Sequence, residues 1–326
     1  MRSEFVVYGA TADWCDVIYH DLIKKQEGLY IDGKMLTTGF LCRILYSLIY
    51  VRMKVKSIML KNVLYSMIDR KIKKQEIDLK YAVFHDWNRL AYDVYYLQHL
   101  KKVYRNVKLV FIFTNIYEKS GTNRFSSLNY IKQNYDLILM YDETDAKQNG
   151  LVYYPTVYSK IQTKIEKEEC DVFYVGNAKD RLPMLLLIYQ RLSGEGLKCL
   201  FFINGVRPEE QKYKEHIHYN QLISYKEVIS YIRNAKCILD IGQQGSNAIT
   251  LRCCEAIFYE KRLITTASKI ANEDFFDPHN IYIVDEENVD GLNMFLNSTE
   301  TVRFDIEIME RFMTKRLLSF IKGTLN

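Results

Sequence analysis

Between Cys237 and Thr266 the chain reads CILDIGQQGSNAITLRCCEAIFYEKRLITT. A short apolar run, Ile238, Leu239 and Ile241, stops at Gly242. The polar loop Gln243, Gln244, Gly245, Ser246, Asn247 follows, then a helical pattern from Ala248 to Tyr259 carrying Arg252 and Glu255, then the apolar pair Leu263 and Ile264. Strand, glycine loop, helix, strand is the order of a βαβ unit that seats a phosphorylated ligand at a helix N-terminus. The unpaired N–H groups and partial positive charge of a first helical turn suit a diphosphate. Glycine lets backbone approach it closely.

Other chemistry-bearing residues fall where apolar runs end. Phe5–Tyr8 closes at Gly9 and leads to Asp13; Tyr81–Phe84 ends in His85 and Asp86; Val107–Phe113 ends near Asn115; Leu137–Met140 precedes Asp142. In parallel sheets ligands lie beyond the C-terminal strand ends, so these are candidates by position. The acidic Glu143–Thr144–Asp145 lacks a further acidic cluster to complete a metal site. His216 and His218, placed on a strand, lack additional ligands for zinc. No metal site is expected.

Positioning these residues requires two alternations of strand and helix. The first occupies the N-terminal half, with a helix over Val17–Lys25. Tyr153–Tyr158 and the charged stretch Lys160–Glu169 form the best linker, and the pattern restarts with Asp171–Gly176. Asn177–Arg181 leads into a helix with Leu182, Leu185, Leu186 and Tyr189 on one face. Ser224 and Glu227 make a capping box ahead of another helix. Asp305–Ile321 reads as one terminal helix. With 326 residues, 48% hydrophobic and 26% charged, two globular α/β domains are expected. Tyrosine, at 26 residues, carries no functional reading by itself.

Residues 1–157 hold 23 Lys+Arg against 16 Asp+Glu, and the remainder 22 against 24, summing to the net +5. Positive charge concentrates over 37–74, where Lys54, Lys56, Lys61, Arg70, Lys71, Lys73 and Lys74 face only Asp69. The segment reads either as solvated helix faces or as a contact with an anionic membrane surface. Its charges interrupt every apolar span, so no transmembrane helix is expected. Seven scattered cysteines without a CxxC pair, and no signal-peptide pattern, point to reduced thiols and a cytoplasmic protein. Nucleic-acid binding is not expected, for no aromatic–basic motif is present.

The patterns FYVGNAKDR and ISYKEVISYIRNAKCILDIGQQGSNAITLRCCEAI, preceded by YDLILMYDETDAKQNGLVYYPTVYS, resemble bacterial GT-B glycosyltransferases of lipopolysaccharide, capsule and exopolysaccharide synthesis. The likeness is best over residues 136–285. It implies an α/β chain of two Rossmann-like domains facing across a cleft: residues 1–158 for the acceptor, residues 159–303 for the donor, and a terminal helix in 304–326 packing back on the first. The activity implied is metal-independent sugar transfer, without a cofactor, from a nucleotide-diphosphate sugar (a UDP-sugar first) to a glycan or glycolipid acceptor, peripheral to the membrane.

By position, Glu255 would accept from ribose hydroxyls, with Arg252 beside it. Gly245, Ser246 and Asn247 would meet the diphosphate, and Lys179 and Arg181 would offset its charge. The Asn204–Gly205 turn and Tyr225 would contact the base. Glu255 could instead pair with Arg252 at i, i+3. Many retaining members carry a second Glu where this chain has Asn247 and Ala248, so retention does not follow. An inverting enzyme needs a general base, for which Asp13, Asp86 and His85 are the candidates. An epimerase acting on free sugar nucleotide and a non-catalytic nucleotide-sugar-binding subunit are the alternatives.

Overall fold

Parallel strands form two sheets of six, ordered β2-β1-β3-β4-β5-β6 and β12-β11-β10-β7-β8-β9. The computed structural model describes residues 3–9, 13–25, 27–32, 35–36, 38–51, 56–119, 127–164, 168–243 and 248–326. The chain divides into an N-terminal unit, Met1–Pro155 with Thr314–Asn326, and a C-terminal unit, Thr156–Met313.

In the N-terminal unit the sheet comprises β1 (Phe5–Tyr8), β2 (Leu29–Ile31), β3 (Tyr81–His85), β4 (Lys108–Phe113), β5 (Leu137–Met140) and β6 (Val152–Tyr153). Both faces are covered, so β1, β3 and β5 are buried along their whole length and read as unbroken apolar runs. From β1 the chain steps to β2 on one side, then crosses to β3 on the other, with Tyr8 opposite Phe84. The C-terminal ends of β1 and β3 therefore form the switch point of this sheet.

The helical connections are α1 (Asp13–Ile18), α2 (His20–Lys24), α3 (Phe40–Tyr46), a π turn over Ser47–Val51, α4 (Ile58–Lys74), α5 (Val94–Val103), α6 (Leu128–Asn134) and α7 (Glu143–Asn149). The helix expected over 17–25 is broken at Tyr19, whose ring is buried and whose hydroxyl bonds His85 Nε2.

Many of the tyrosines fill this core and pair their hydroxyls. Tyr8 meets Tyr96 at 2.9 Å, while Tyr50 and Tyr65 donate to Asp93 and Tyr104 to Asp69. Two of the lysines expected to face solvent or a membrane point inward: Lys61 Nζ lies 2.9 Å from Asp93, and Lys71 donates to the carbonyls of Met35 and Thr38. Lys54 lies outside the described residues.

The C-terminal unit has β7 (Cys170–Asn177), α8 (Leu182–Gly194), β8 (Cys199–Asn204), β9 (His218–Tyr219), α9 (Tyr225–Asn234), β10 (Ala235–Asp240), α10 (Leu251–Tyr259), β11 (Arg262–Thr265), β12 (Ile281–Ile283), α11 (Leu292–Leu296) and α12 (Ile306–Arg311). Here β7 runs to β8 and β9, and β10 returns beside β7, so the switch point lies at their C-terminal ends. Ser224 and Glu227 form the capping box of α9. His216 precedes β9 instead of lying on it, and His218 stacks on Phe202 at 4.6 Å.

The expected terminal helix is two helices. After α12 the Phe312 carbonyl accepts from Tyr158 N at 2.7 Å instead of from the following turn. α13 (Thr314–Leu325) then begins, within the N-terminal unit. Its Leu317, Leu318 and Ile321 are buried, Phe320 packs on Tyr154, Lys322 pairs with Glu4, and Tyr81 donates to Asn326 Oδ1.

Candidate functional site

At the switch point of the C-terminal unit four charged side chains gather: Arg181, Asp240, Arg252 and Glu255. Arg181 follows β7 and donates to the carbonyls of Ile241, at 3.0 Å, and Asn177. It thus ties the ends of β7 and β10 together. Asp240 ends β10, 6% exposed, and accepts from Thr250 Oγ1 at 2.8 Å. Burial raises its pKa, against the Thr250 hydrogen bond and the charges of Arg252 and Arg181.

Glu255 has no exposed surface; its carboxylate accepts from Tyr225 through one oxygen and from Arg252 through the other. The i, i+3 pair that the spacing allows is present, but it is buried. Burial opposes the Arg252 charge, yet Glu255 and Tyr225 outweigh it and hold the guanidinium's pKa above its ordinary value. Burial and the neighbouring Glu255 push the Tyr225 phenol well up. Two cations against two anions make a compensated, hydrogen-bonded cluster.

α10 starts at Leu251, not Ala248. Thr250 is its N-cap, accepting from the backbone N–H groups of Arg252 and Cys253 at 3.1 and 3.3 Å. Two first-turn donors expected to hold a diphosphate are therefore taken by a hydroxyl. Gly245, Ser246 and Asn247 lie outside the described residues. Gly242 N donates to Thr266 Oγ1 at 2.9 Å. Lys179 is exposed just past β7, with φ at 46°, a left-handed conformation uncommon for lysine.

Asn204 ends β8, half-buried. Gly205, at φ 74°, gives its N–H to Asn220 Oδ1 at 2.8 Å, so that amide is engaged within the turn. Tyr225 is buried on Glu255, away from solvent. Of the donor-side residues, the structure gathers Arg181, Tyr225, Arg252 and Glu255 with Asp240, and places Asn204 and Gly205 at the end of β8.

The switch point of the N-terminal unit has a different chemistry. Asp86 follows β3 and is 4% exposed, its oxygens accepting from Thr114 Oγ1 at 2.6 Å and Thr114 N at 3.2 Å. Burial pushes its pKa up to about 7, the Thr114 bonds notwithstanding. No cation is hydrogen-bonded or ion-paired to it among the described residues. Trp87 beside it is exposed, with Nε1–H on Thr114 Oγ1. Asn88 Nδ2 donates to Gly9 O at 2.8 Å, bracing β1 against the turn after β3.

His85 is buried, and burial lowers its pKa to about 4. Its Nε2 lies 2.5 Å from the hydroxyl of Tyr19, whose own pKa burial raises, and its Nδ1 has no partner among the described residues. Asp13 is exposed in the first turn of α1. Asp142 caps α7, and Asp145 accepts from Tyr117 N, so these acids serve the turn. No cluster of three or more potential metal-binding side chains occurs among the described residues.

The sequence reading missed Asp240, Thr250 and Thr114. Asp240 carried a signal, an acid ending an apolar run just before Gly242. Thr114, likewise at a strand end, is tied to Asp86 by pairing across β3 and β4.

Two Rossmann-like units of parallel strands in one chain constitute the GT-B fold. The catalytic domain of Starch Synthase IV from Arabidopsis thaliana, bound to ADP and acarbose, is similar at TM-score 0.54 and 9% identity over 99% of this chain and 98% of that one. A Listeria monocytogenes protein described as a UDP-N-acetylglucosamine 2-epimerase is similar at 0.52 and 9%, over 100% and 97%. A DNA-modifying β-glucosyltransferase, studied with uridine diphosphoglucose, is similar at 0.50 and 15%, over 98% and 95%. At these identities the likeness is one of fold. Searched against protein-family models and curated proteins, the chain matches none.

Proposed function

We propose that this chain transfers a sugar from a nucleotide-diphosphate donor to an acceptor hydroxyl. The observation that carries the reading is Asp86: a buried carboxyl with a pKa near neutrality, at the switch point of one Rossmann-like unit. A base poised near the working pH combines the ionised form with driving force for proton transfer. The Asp86 oxygens accept from Thr114 and from backbone N–H groups of the turn after β3, which fix the carboxyl in place. The exposed Trp87 ring, steadied through Thr114, offers an apolar face to an acceptor sugar.

In the C-terminal unit the Arg181 and Arg252 guanidinium groups are held at the strand ends, with Lys179 exposed nearby. They would stabilise the departing diphosphate without a metal. The step balances simply. The acceptor proton goes to Asp86, its oxygen bonds the anomeric carbon, and the carbon–phosphate oxygen bond breaks with its electron pair on the diphosphate. A base on the acceptor side, with Asn247 and Ala248 where a second Glu would stand, fits inversion. UDP-sugars are the first donors to test, and a lipid-linked bacterial surface glycan the first acceptor.

The test is incubation of the purified chain with labelled nucleotide sugars and such acceptors, after a thermal-shift screen of nucleoside diphosphates, since a ligand that binds the native state raises its melting temperature. Glycosylated acceptor is expected. Epimerised free donor would assign the chain to the epimerase chemistry, and binding without turnover to a donor-binding subunit.

A further inference from the structure

Seven of the seventeen large apolar side chains exposed among the described residues fall between positions 40 and 63: Phe40, Leu41, Ile44, Val51, Ile58, Met59 and Val63. Phe40 is 84% exposed and Met59 71%. They lie on α3, the π turn and the first half of α4, and the two helices pack on each other. α3, FLCRILY, is apolar nearly all round; Cys42, Leu45 and Tyr46 enter the core while Phe40, Leu41 and Ile44 are left in water. A helix apolar on both sides is ordinarily covered on both sides. Clustered exposed apolar surface of this kind marks a contact site.

The charge around it selects the partner. Residues 38–75 contain nine Lys and Arg against one acid, Asp69. Asp69 is itself buried, bonded to His99 and Tyr104. Lys61 and Lys71 are spent on internal contacts. Arg43 and Lys56 remain exposed beside the apolar residues, and Arg70, Lys73 and Lys74 line the second half of α4. The exposed surface of the segment thus combines apolar side chains and cations with no exposed acid among its described residues. Apolar insertion together with anionic attraction is the two-signal requirement for a stable bilayer contact. No helix among the described residues is long and apolar enough to cross a membrane.

We infer that α3 and α4 form a docking face for an anionic lipid surface, in which Phe40, Leu41 and Met59 enter the headgroup boundary and the outward cations bind phosphate groups. The inference does not depend on the transferase reading, because docking is measured without donor or acceptor.

The experiment is flotation of the purified chain with vesicles of phosphatidylcholine, with and without phosphatidylglycerol. The parent should float with the anionic vesicles and lose much of that binding in about 0.5 M salt. Phe40→Ser with Met59→Ser should reduce anionic-vesicle binding by at least about tenfold. Arg70→Gln, Lys73→Gln and Lys74→Gln together should remove most of the preference for anionic over neutral vesicles. All these side chains are exposed, so melting curves should match the parent. Failure of the parent to float, or equal flotation of the Phe40/Met59 variant, overturns the inference. So does a parent that sediments as a dimer, is split by Phe40→Ser and ignores vesicles, which would assign the face to a second copy. Any of these leaves activity on a soluble acceptor, and the transferase reading with it, untouched.

Discussion

Both sheets are parallel and six-stranded but differ in strand order, and their switch points are built on opposite electrostatic plans. At the switch point of the C-terminal unit each of the four charges has a counter-charge or a hydrogen bond: Arg181 on carbonyls, Asp240 on Thr250, Arg252 on Glu255. In the N-terminal unit Asp86 and His85 are buried with neutral partners alone, and burial moves both away from their ordinary pKa values. Compensation fixes charge in place, which suits holding an anion. Lack of compensation leaves a proton easy to move, which suits acid–base work.

The largest test of this contrast lies in the C-terminal unit. Glu255→Ala leaves the Arg252 guanidinium without its partner in a largely enclosed site, and should cost about 3–5 kcal/mol in urea unfolding. A loss under about 1 kcal/mol would show that the cluster is not the tightly compensated one described.

Asp86→Asn should do the reverse. Turnover should fall about 10²–10⁴-fold. Stability at pH 8 should rise by up to about 4 kcal/mol, because the native state no longer holds an ionised carboxyl out of water. A variant that is both less active and less stable would make Asp86 a structural residue.

The pH dependence sharpens the comparison further. Asp86 titrates near 3.8 unfolded and about 7 folded, so the native state holds the extra proton and this contribution to stability is lost as pH rises between those values. His85 titrates near 6.5 unfolded and about 4 folded, so the unfolded state holds the extra proton and its contribution is lost as pH falls through that window. Between pH 4 and 6.5 the two nearly cancel. Asp86→Asn should unmask the histidine: relative to the parent, its stability should climb with pH by about 1.4 kcal/mol per unit across that range. Parallel stability–pH curves for the two proteins would refute the assignment.

The smallest effect expected is from Arg181→Met, which removes a clamp on two strand ends. We expect a loss of about 1–3 kcal/mol and weaker binding of nucleoside diphosphates by calorimetry. Unchanged affinity would exclude Arg181 from the anion site.

The architecture was legible because buried parallel strands are almost wholly apolar and stop at marked turns, as at Gly9 and Gly242. The capping box at Ser224 was legible because its rule is local. The arrangement around Glu255 was not. Its spacing to Arg252 is visible on one helix, but the hydroxyl on its other oxygen comes from Tyr225, thirty residues away in sequence. Thr250 was hidden in an apolar stretch, so the helix start was placed three residues early. Nothing in the alternation of lysines along α4 separates Lys61 and Lys71, which turn inward, from Lys73 and Lys74, which do not. Only packing decides that.

The return of α13 has a consequence for biosynthesis. Ile18, Glu4 and Tyr81 wait for Thr314, Lys322 and Asn326, which the ribosome delivers after the whole of residues 156–313. The half translated first is therefore the half completed last, and until then its surface under Leu317, Leu318 and Ile321 stands open to chaperones.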